Sequence, residues 1–268
     1  MNGQPAMQVE DLAVTLAATG EPIIRGVSFE LTPGKIFALV GESGSGKSVT
    51  SMAAMRLLPD ALAITSGSVH VGEEDLFELS ESQMQNVRGR RVAMIFQNAM
   101  TALNPVQKVG KQVAETLKLH TTLRGDDLRK RVVQLFDEVG IPEPDRRFDF
   151  FPHQLSGGQQ QRVMIAVALA CEPDVLIADE PTTALDVTIQ EQVLELIREL
   201  TRSRQLAVLL ITHDMGVVRN TADEVAVMYR GEIIERASVD DFFHHPKQEY
   251  SRRLIDALPD LTHFHAAG

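Results

Sequence analysis

The strongest constraint on the fold is that one chain carries two glycine-rich sequences suited to binding anions. The first is a complete phosphate-binding loop at residues 41–48, and the second is Leu155-Ser156-Gly157-Gly158-Gln159. An apolar stretch that ends in Asp179-Glu180 follows the second sequence. Many nucleotide-binding chains have the loop, but very few also have such a segment and then an acidic pair. The combination predicts an α/β nucleotide-binding protein.

Composition restricts the class of protein further. The 268 residues are 44% hydrophobic and 24% charged, which fits a folded chain with a substantial core and one or two domains. The net charge of -11 argues against nucleic acid as a partner and against adhesion to an anionic membrane. The sequence shows neither an apolar run of about 18–20 residues nor a signal peptide. With Cys171 as the single cysteine, we expect a reducing, cytoplasmic location.

Strand patterns dominate the first part of the chain. Residues 7–14 and 26–31 read as half-buried strands, and the apolar run at 36–40 predicts a strand covered on both faces. A helix is expected over 49–58, ended by Pro59.

A different pattern follows from about residue 99 to 151, where apolar residues recur at helical spacing without a strong strand candidate. This stretch is expected to be a helical insert. The α/β pattern then resumes, with Asp186 placed to cap a helix. The expected later elements are strands at 175–178 and 207–212, a helix at 187–200, and a hairpin of 225–229 with 232–235.

The loop at 41–48 lies between an expected strand and an expected helix, as phosphate-binding loops do. Its glycines let backbone amides point at phosphate oxygens, and the next helix presents its positive dipole end. Lys47 supplies a cation for the β- and γ-phosphates, and Ser48 supplies a hydroxyl for Mg²⁺. The candidate nucleotide-binding residues of the loop are Gly41, Ser43, Gly44, Gly46, Lys47 and Ser48.

Polar residues also follow the other expected buried strands, at the sheet edge where parallel α/β proteins bind ligands. Asp179 is a candidate magnesium ligand, and Glu180 is the candidate base that orients and activates water. His213, after 207–212, is a candidate γ-phosphate contact. Gln97 ends an expected strand at 91–96, and its amide could contact Mg²⁺ or the attacking water and link nucleotide state to the insert.

The segment Ser156-Gly157-Gly158 opens a helix and offers a second anion site through its hydroxyl, its amides and the helix dipole. One nucleotide does not need two anion sites from the same chain. In a head-to-tail dimer, however, the second site of one chain would close over the γ-phosphate bound by the other. The sequence therefore predicts that two chains share each nucleotide.

In this order, the motifs resemble those of the nucleotide-binding subunit of an ATP-binding-cassette (ABC) transporter, over nearly the whole chain from about Val9 to Pro259. The resemblance implies a phosphate-loop ATPase with a RecA-like parallel-sheet core, an antiparallel β subdomain and a helical subdomain. It implies ATP hydrolysis with Mg²⁺, and a D-loop at 183–186 that meets the partner ATPase. The resemblance implies a catalytic role for Glu180, His213 and Gln97. It implies nucleotide contact for the loop residues and for Ser156, Gly157, Gly158 and Asp186. It implies metal binding for Ser48, Gln97 and Asp179.

The same resemblance implies an organisation and a set of partners. Residues 1–98 and 154–235 would form the nucleotide-binding core, 99–153 a helical subdomain that contacts a permease, and 236–268 a C-terminal tail. Two ATPase subunits, identical or different, would pair beneath two transmembrane permeases, and an external solute-binding protein would deliver the solute. The chain would then be peripheral, at the cytoplasmic face of the inner membrane.

A finer resemblance is to the ATPases of the peptide and nickel importer group, which implies uptake of dipeptides, oligopeptides, nickel or a metal complex. The stretches that carry it are 96–105, 151–154, 178–188, and a C-terminal motif of residues 245–250 with Leu254 and 257–259.

Two departures from the family pattern are visible. Leu16 stands where the family commonly has an aromatic residue that stacks on adenine, so ATP and GTP are expected to compete almost equally. Many peptide-importer ATPases also have a C-terminal cysteine cluster for an iron–sulfur centre, and this chain has only Cys171. Because of that difference, nickel or a metal complex stays an alternative to peptides as the transported solute. The histidines of the C-terminal part (His244, His245, His263 and His265) lack partners at metal-ligand spacing and are not assigned to a metal site.

Three other functions fit the motifs less well than a transporter ATPase does. A phosphate-loop kinase or GTPase would leave the second glycine-rich segment and His213 without a role. A soluble ABC protein that acts on ribosomes or DNA would normally have two cassettes or a long coiled-coil insertion. A scaffold subunit whose partner carries the active site fits poorly with intact Glu180, His213 and Ser156. The last two remain the alternatives.

Overall fold

Two β-sheets form the framework of the computed structural model, which describes residues 4–97, 102–183 and 185–258. The strands are β1 (Met7–Leu16), β2 (Pro22–Leu31), β3 (Ile36–Val40), β4 (Leu62–Val71), β5 (Glu74–Asp75), β6 (Val92–Ile95), β7 (Val175–Asp179), β8 (Ala207–Thr212), β9 (Glu224–Tyr229) and β10 (Glu232–Ser238). One sheet has the order β2-β1-β4-β5 and is antiparallel. The other has the order β10-β9-β3-β8-β7-β6.

The second sheet is parallel from β9 to β6, and only β10 joins it in antiparallel orientation. Every residue of β3, β7 and β8 is buried, because packed layers cover both faces of the sheet. The predicted strand at 36–40 and the hairpin around Arg230-Gly231 are confirmed. The mixed parallel and antiparallel architecture is the one expected for a phosphate-loop α/β protein.

Helices connect these strands. They are α1 (Lys47–Ala54), α2 (Glu81–Val87), α3 (Val109–His120), α4 (Gly125–Glu138), α5 (Pro144–Arg147), α6 (Gly157–Leu169), α7 (Val187–Arg204), α8 (Met215–Thr221), α9 (Val239–His244) and α10 (Glu249–Asp256), and a 3₁₀ turn lies at Pro152–Gln154. The predicted cap of α7 is confirmed, since the Ile189 amide donates to Asp186 Oδ1 at 3.0 Å.

The expected end of the first helix at Pro59 was wrong. Helix α1 ends at Ala54, and Arg56 adopts a left-handed conformation with φ of 52°. The amides of Arg56 and Leu57 bond back to the carbonyls of Ala53 and Met52, which is the Schellman pattern of a helix end. The backbone therefore leaves the helix before the proline can act.

The described part of the insert, from residue 102, is helical and contains α3, α4 and α5, as predicted. Its core is continuous with one face of the parallel sheet, because Val113 and Phe136 belong to the same buried cluster as Val163 and Leu176. The other face of that sheet shares a separate cluster with the antiparallel sheet and α1. The insert is thus attached to the nucleotide-binding core by apolar packing.

The C-terminal residues pack against the sheet as well. Strand β10 continues to Ser238, beyond the expected boundary at residue 235, and Phe242 of α9 is fully buried. It packs in a cluster with Val225 and Val227 of β9, and Leu254 of α10 packs against the same cluster. The division into core, subdomain and tail stays a prediction, but residues up to 258 are part of the folded body.

Some sequence expectations concern residues outside the described ranges. They are residues 98–101 of the 96–105 stretch and of the start of the insert, Ala184 of the D-loop, and the C-terminal residues from Pro259, which include His263 and His265. In the described ranges, the helices fall short of the combined length and apolarity that a bilayer crossing requires.

Candidate active site

Four of the predicted site residues follow neighbouring parallel strands at one edge of the sheet. Gly41 follows β3, Gln97 follows β6, Glu180 follows β7 and His213 follows β8. The carboxyl ends of parallel strands meet at a common edge, which is where such sheets bind ligands. Strand order therefore brings together residues that are far apart in the sequence.

The phosphate-binding loop begins where Gly41 passes very close to the backbone of β9. Gly41 has a φ of 150°, and a Cβ atom placed on it would lie 2.2 Å from the carbonyl oxygen of Met228. Only glycine fits this approach. Ser43 and Gly44 are exposed at the tip of the loop, whereas Gly46 is buried where α1 begins.

Lys47 is buried at the base of the loop, with 6% of its surface exposed. Its Nζ donates to the carbonyl oxygens of Gly41 at 2.7 Å and Glu42 at 2.9 Å. Burial lowers the pKa of Lys47, and the nearby carboxylates of Glu180 and Asp179 oppose this effect. The loop thus holds a largely dehydrated ammonium group beside two acids.

Ser48 and Asp179 form an oxygen-rich pair, in which Ser48 Oγ donates to Asp179 Oδ1 at 3.1 Å. Asp179 is buried, and burial raises the pKa of its carboxyl while the bond from Ser48 opposes the rise. Carboxylate and hydroxyl oxygens are the ligands that hard divalent cations prefer. The pair is therefore suited to a magnesium ion.

Glu180 is the centre of a hydrogen-bond network. Its Oε2 accepts from Gln97 Nε2 at 2.6 Å and from Thr183 Oγ1 at 3.0 Å, and its Oε1 lies 2.9 Å from His213 Nδ1. Burial raises the pKa of Glu180, but the bonds from His213, Thr183 and Gln97 together hold that pKa below its usual value. The side chain is 17% exposed, and that of His213 is 66% exposed.

Backbone geometry fixes the direction of this carboxylate. Glu180 has a φ of 47°, a left-handed conformation that is uncommon for a residue other than glycine, and its amide donates to Ile211 O at 2.9 Å. Thr183 was not foreseen as a partner of Glu180. The only sequence signal for it is a hydroxyl three residues beyond the acid, in a turn that Pro181 begins.

The second glycine-rich segment has the geometry of a helix start. Ser156 caps α6, with Ser156 Oγ accepting from the Gln159 amide and Gln159 Oε1 accepting from the Ser156 amide, both at 3.3 Å. Gly158 fits tightly against α7, since a Cβ on it would lie 2.5 Å from Ile189 Cγ2. Segment 156–158 is therefore packed on the helix that Asp186 caps.

The predicted site residues fall into two groups. The first contains the phosphate loop, Asp179, Glu180, Gln97 and His213, which are linked by hydrogen bonds or charge. The second contains Ser156, Gly157, Gly158 and Asp186. Among the described residues, no hydrogen bond joins the second group to the first. Ser156 is exposed at the start of its helix.

The turn between β9 and β10 connects both sheets to the phosphate loop. The Gly231 amide donates to the carbonyl of Ser45 at 2.9 Å, and the Arg25 amide of β2 donates to the carbonyl of Gly231 at 2.9 Å. A backbone hydrogen bond from this turn therefore helps to hold the phosphate loop in position.

Comparison with known proteins identifies similar chains. Residues 24–183 match the family model described as ABC transporter. The chain is 50% identical over 258 residues to the oligopeptide transport ATP-binding protein OppD of Bacillus subtilis, covering 95% of this chain and 72% of the relative. It is 48% identical over 261 residues to the dipeptide transport ATP-binding protein DppD of the same organism, covering 96% of this chain and 78% of the relative.

Solved structures of ATP-binding cassettes have a fold similar to that of this chain. One is a dimeric ATP-binding cassette in a post-hydrolysis state bound to ADP and Pi, with a TM-score of 0.75 and 27% identity over 87% of this chain and 98% of that one. Another is CbiO1 from Clostridium perfringens, part of an ABC transporter complex, with a TM-score of 0.80 and 26% identity over 98% of this chain and 99% of that one.

Proposed function

The chain belongs to the ABC transporter family and is an ATP-hydrolysing subunit, and on this premise we propose that it powers the uptake of dipeptides or oligopeptides through partner permeases. The observation that supports this solute class is the identity of 50% and 48%, over nearly the whole chain, to relatives named for oligopeptide and dipeptide transport. Nickel or a metal complex is the alternative solute, and those names favour peptides.

The residues at the sheet edge fit MgATP. The loop at 41–48 would bind the β- and γ-phosphates through its amides and Lys47. Ser48 and Asp179 would hold Mg²⁺, since their oxygens lie 3.1 Å apart and are of the type the ion prefers, and the Gln97 amide is a further candidate ligand. When bound, Mg²⁺ would neutralise charge on the phosphates.

Glu180 is proposed as the general base. Hydrolysis requires water to attack the γ-phosphorus while the bond to the β-phosphate oxygen breaks, and the proton of that water must go to an acceptor. The lowered pKa keeps Glu180 ionised at neutral pH, so its carboxylate can take this proton. His213, bonded to the other carboxylate oxygen, would contact the γ-phosphate from the same edge.

The network around Glu180 also suggests how the base is controlled. Gln97 and Thr183 both donate to Oε2. These two bonds occupy the lone pairs of Oε2, so water can bond to Oε2 only if one donor withdraws, whereas Oε1 is bonded to His213 alone and has a further lone pair. Gln97 is the better candidate, because it lies at the start of the insert and any movement of the insert would move it. We therefore propose that Gln97 couples the insert to the base.

The second group of residues is proposed to act on the nucleotide of a partner ATPase. Ser156 offers an exposed hydroxyl and a helix N-terminus, and the described hydrogen bonds do not connect it to the phosphate loop of its own chain. The similar cassette bound to ADP and Pi is a dimer. In a head-to-tail dimer, Ser156, Gly157, Gly158 and Asp186 would complete the site from the opposite side.

The remaining partners follow from the proposed transport. Residues 99–153 would contact a permease, two permeases would form the channel, and an extracytoplasmic solute-binding protein would deliver the peptide. The ATPase would then be peripheral, at the cytoplasmic face of the inner membrane. Its helical insert, packed through Val113 and Phe136 onto the parallel sheet, would transmit motion between the permease and the nucleotide-binding core in both directions.

A reconstituted transporter tests the proposed function. The chain should be purified with its permeases and second ATPase, placed in proteoliposomes with the solute-binding protein, and assayed for ATP hydrolysis. We expect di- or oligopeptides to stimulate hydrolysis and nickel complexes to have no effect. The Lys47→Ala complex is the matched control for background hydrolysis. Stimulation by nickel complexes alone would reassign the solute, and indifference to both would reject a peptide importer.

Base selectivity gives a separate prediction. Leu16, at the end of β1, has no ring to stack on adenine, so GTP should displace a fluorescent ATP analogue nearly as well as ATP does. Leu16→Phe should tighten ATP binding about two- to tenfold, because an aromatic pair is worth about 0.5–1.5 kcal/mol. Leu16→Met controls for side-chain size. A strong ATP preference in the wild type would show that another group reads the base.

A further inference from the structure

The C-terminal helix reaches the phosphate-binding loop, a contact that the proposed reaction does not yet use. Tyr250 lies in the first turn of α10, and its hydroxyl oxygen accepts a hydrogen bond from the Glu42 amide at 3.0 Å. The two residues are 208 positions apart in the sequence. Tyr250 also belongs to the C-terminal motif at 245–250.

Helix α10 is fixed in place at its beginning. Glu235 of β10 is buried, with 6% of its surface exposed, and its carboxylate accepts from the amides of Lys247 at 2.7 Å and Gln248 at 3.0 Å. Burial raises the pKa of Glu235, but the bonds from those two amides hold the pKa below its usual value. A buried carboxylate thus anchors the chain just before the helix.

The ring of Tyr250 is held as well. It packs against the ring of Tyr229, the last residue of β9, with centroids 4.6 Å apart and planes tilted by 45°. Tyr250, Leu254 of the same helix and Leu258 just after it all pack against the cluster that contains Phe242. The contact with Tyr229 and the packing of the helix therefore hold the hydroxyl at the loop.

The bonded amide belongs to a peptide unit that also holds Lys47. The Glu42 N–H and the Gly41 C=O are parts of the same planar peptide unit, and Lys47 Nζ donates to that carbonyl at 2.7 Å. Tyr250 and Lys47 therefore bind opposite ends of one peptide group. Glycine on one side allows this peptide unit more backbone conformations than another residue would, so the two bonds at its ends, to Tyr250 and from Lys47, orient it together.

We propose that Tyr250 is a positioning residue of the nucleotide site. It orients the Gly41–Glu42 peptide, that peptide holds the ammonium of Lys47 at the base of the loop, and the C-terminal helix thereby sets the affinity for nucleotide. This inference rests on the proposed binding of ATP by the loop. The bond from Glu42 to Tyr250 is already present before nucleotide binds. Loss of Tyr250 should therefore weaken nucleotide binding more than it slows the chemical step.

Tyr250→Phe removes the acceptor and keeps the ring. We expect the Kd of the full chain for MgATP to rise about three- to tenfold, the range for loss of one hydrogen bond. In the reconstituted complex, KM should rise similarly while kcat at saturating ATP stays within about twofold of the wild type. Tyr229→Phe is the matched control, because it removes a hydroxyl from the same aromatic pair and should leave Kd unchanged.

A second variant tests the path through the helix. Glu235→Ala should raise Kd in the wild-type background and add little in the Tyr250→Phe background, since both changes act on one contact. Thermal unfolding without nucleotide reports whether each variant is folded. An unchanged Kd in folded Tyr250→Phe, or a rise equal to that of Tyr229→Phe, would overturn the inference. Absence of ATP binding by the wild type would instead reject the proposed function itself.

Discussion

Glu180→Gln should bind ATP about as tightly as the wild type and hydrolyse it at least about 100-fold more slowly, the lower range for a lost general base. The amide matches the carboxylate in size but cannot take a proton from water. Binding should survive because the substitution removes one negative charge near the phosphates and leaves Lys47, Ser48 and Asp179 unchanged. Single-turnover hydrolysis and equilibrium nucleotide binding measure the two effects separately.

A matched variant shows whether the effect belongs to this carboxylate. Glu78→Gln makes the same chemical change at an exposed position before α2, and it should leave both binding and hydrolysis as they are. Thr183→Val removes one of the donors to Glu180 without removing the base, so its effect on hydrolysis should be smaller than that of Glu180→Gln. Hydrolysis by Glu180→Gln near the wild-type rate would exclude Glu180 as the base.

Lys47→Ala should lose nucleotide affinity by at least about 30-fold, because removing one member of a buried charge pair typically costs 2–5 kcal/mol. Lys47 is buried at the base of the loop, where its ammonium has little contact with water and would pair strongly with phosphate oxygens. The measurement is equilibrium binding of a fluorescent ATP analogue to the full chain.

The loop itself needs a control in this experiment, since Lys47 also bonds the carbonyls of Gly41 and Glu42. Thermal unfolding without nucleotide separates a damaged loop from a lost phosphate contact. Lys35→Ala removes a half-exposed cation that contacts Glu224, and it should bind ATP normally. Unchanged ATP binding by Lys47→Ala would remove the lysine from the phosphate role.

The elements that could be predicted from sequence are those with strong local signals. The uninterrupted apolar runs of β3 and β8 and the phosphate loop between β3 and α1 depend on neighbouring residues alone. Strand β4 carries a weaker signal, because most of its residues are half-buried or exposed, and it was not predicted. The end of α1 was misplaced because Arg56, rather than glycine, adopts the left-handed conformation there.

Prediction of the site from the sequence has the same limit, because it depends on strong local signals. Asp179, Glu180 and His213 could be selected because each ends or follows a buried strand, and parallel strands end at a shared edge. The contact between Tyr250 and Glu42 could not be foreseen, because it depends on how α10 is anchored by Glu235 and on the ring of Tyr229. Such contacts arise from tertiary packing, for which a single sequence gives no distance.

Gly231 has a practical consequence for anyone who modifies this chain. Its amide bonds to Ser45 and its carbonyl to Arg25, so one residue links the hairpin, the phosphate loop and the antiparallel sheet. An affinity tag, a fluorophore or an inserted segment at this hairpin would therefore disturb the folding of both sheets and nucleotide binding together.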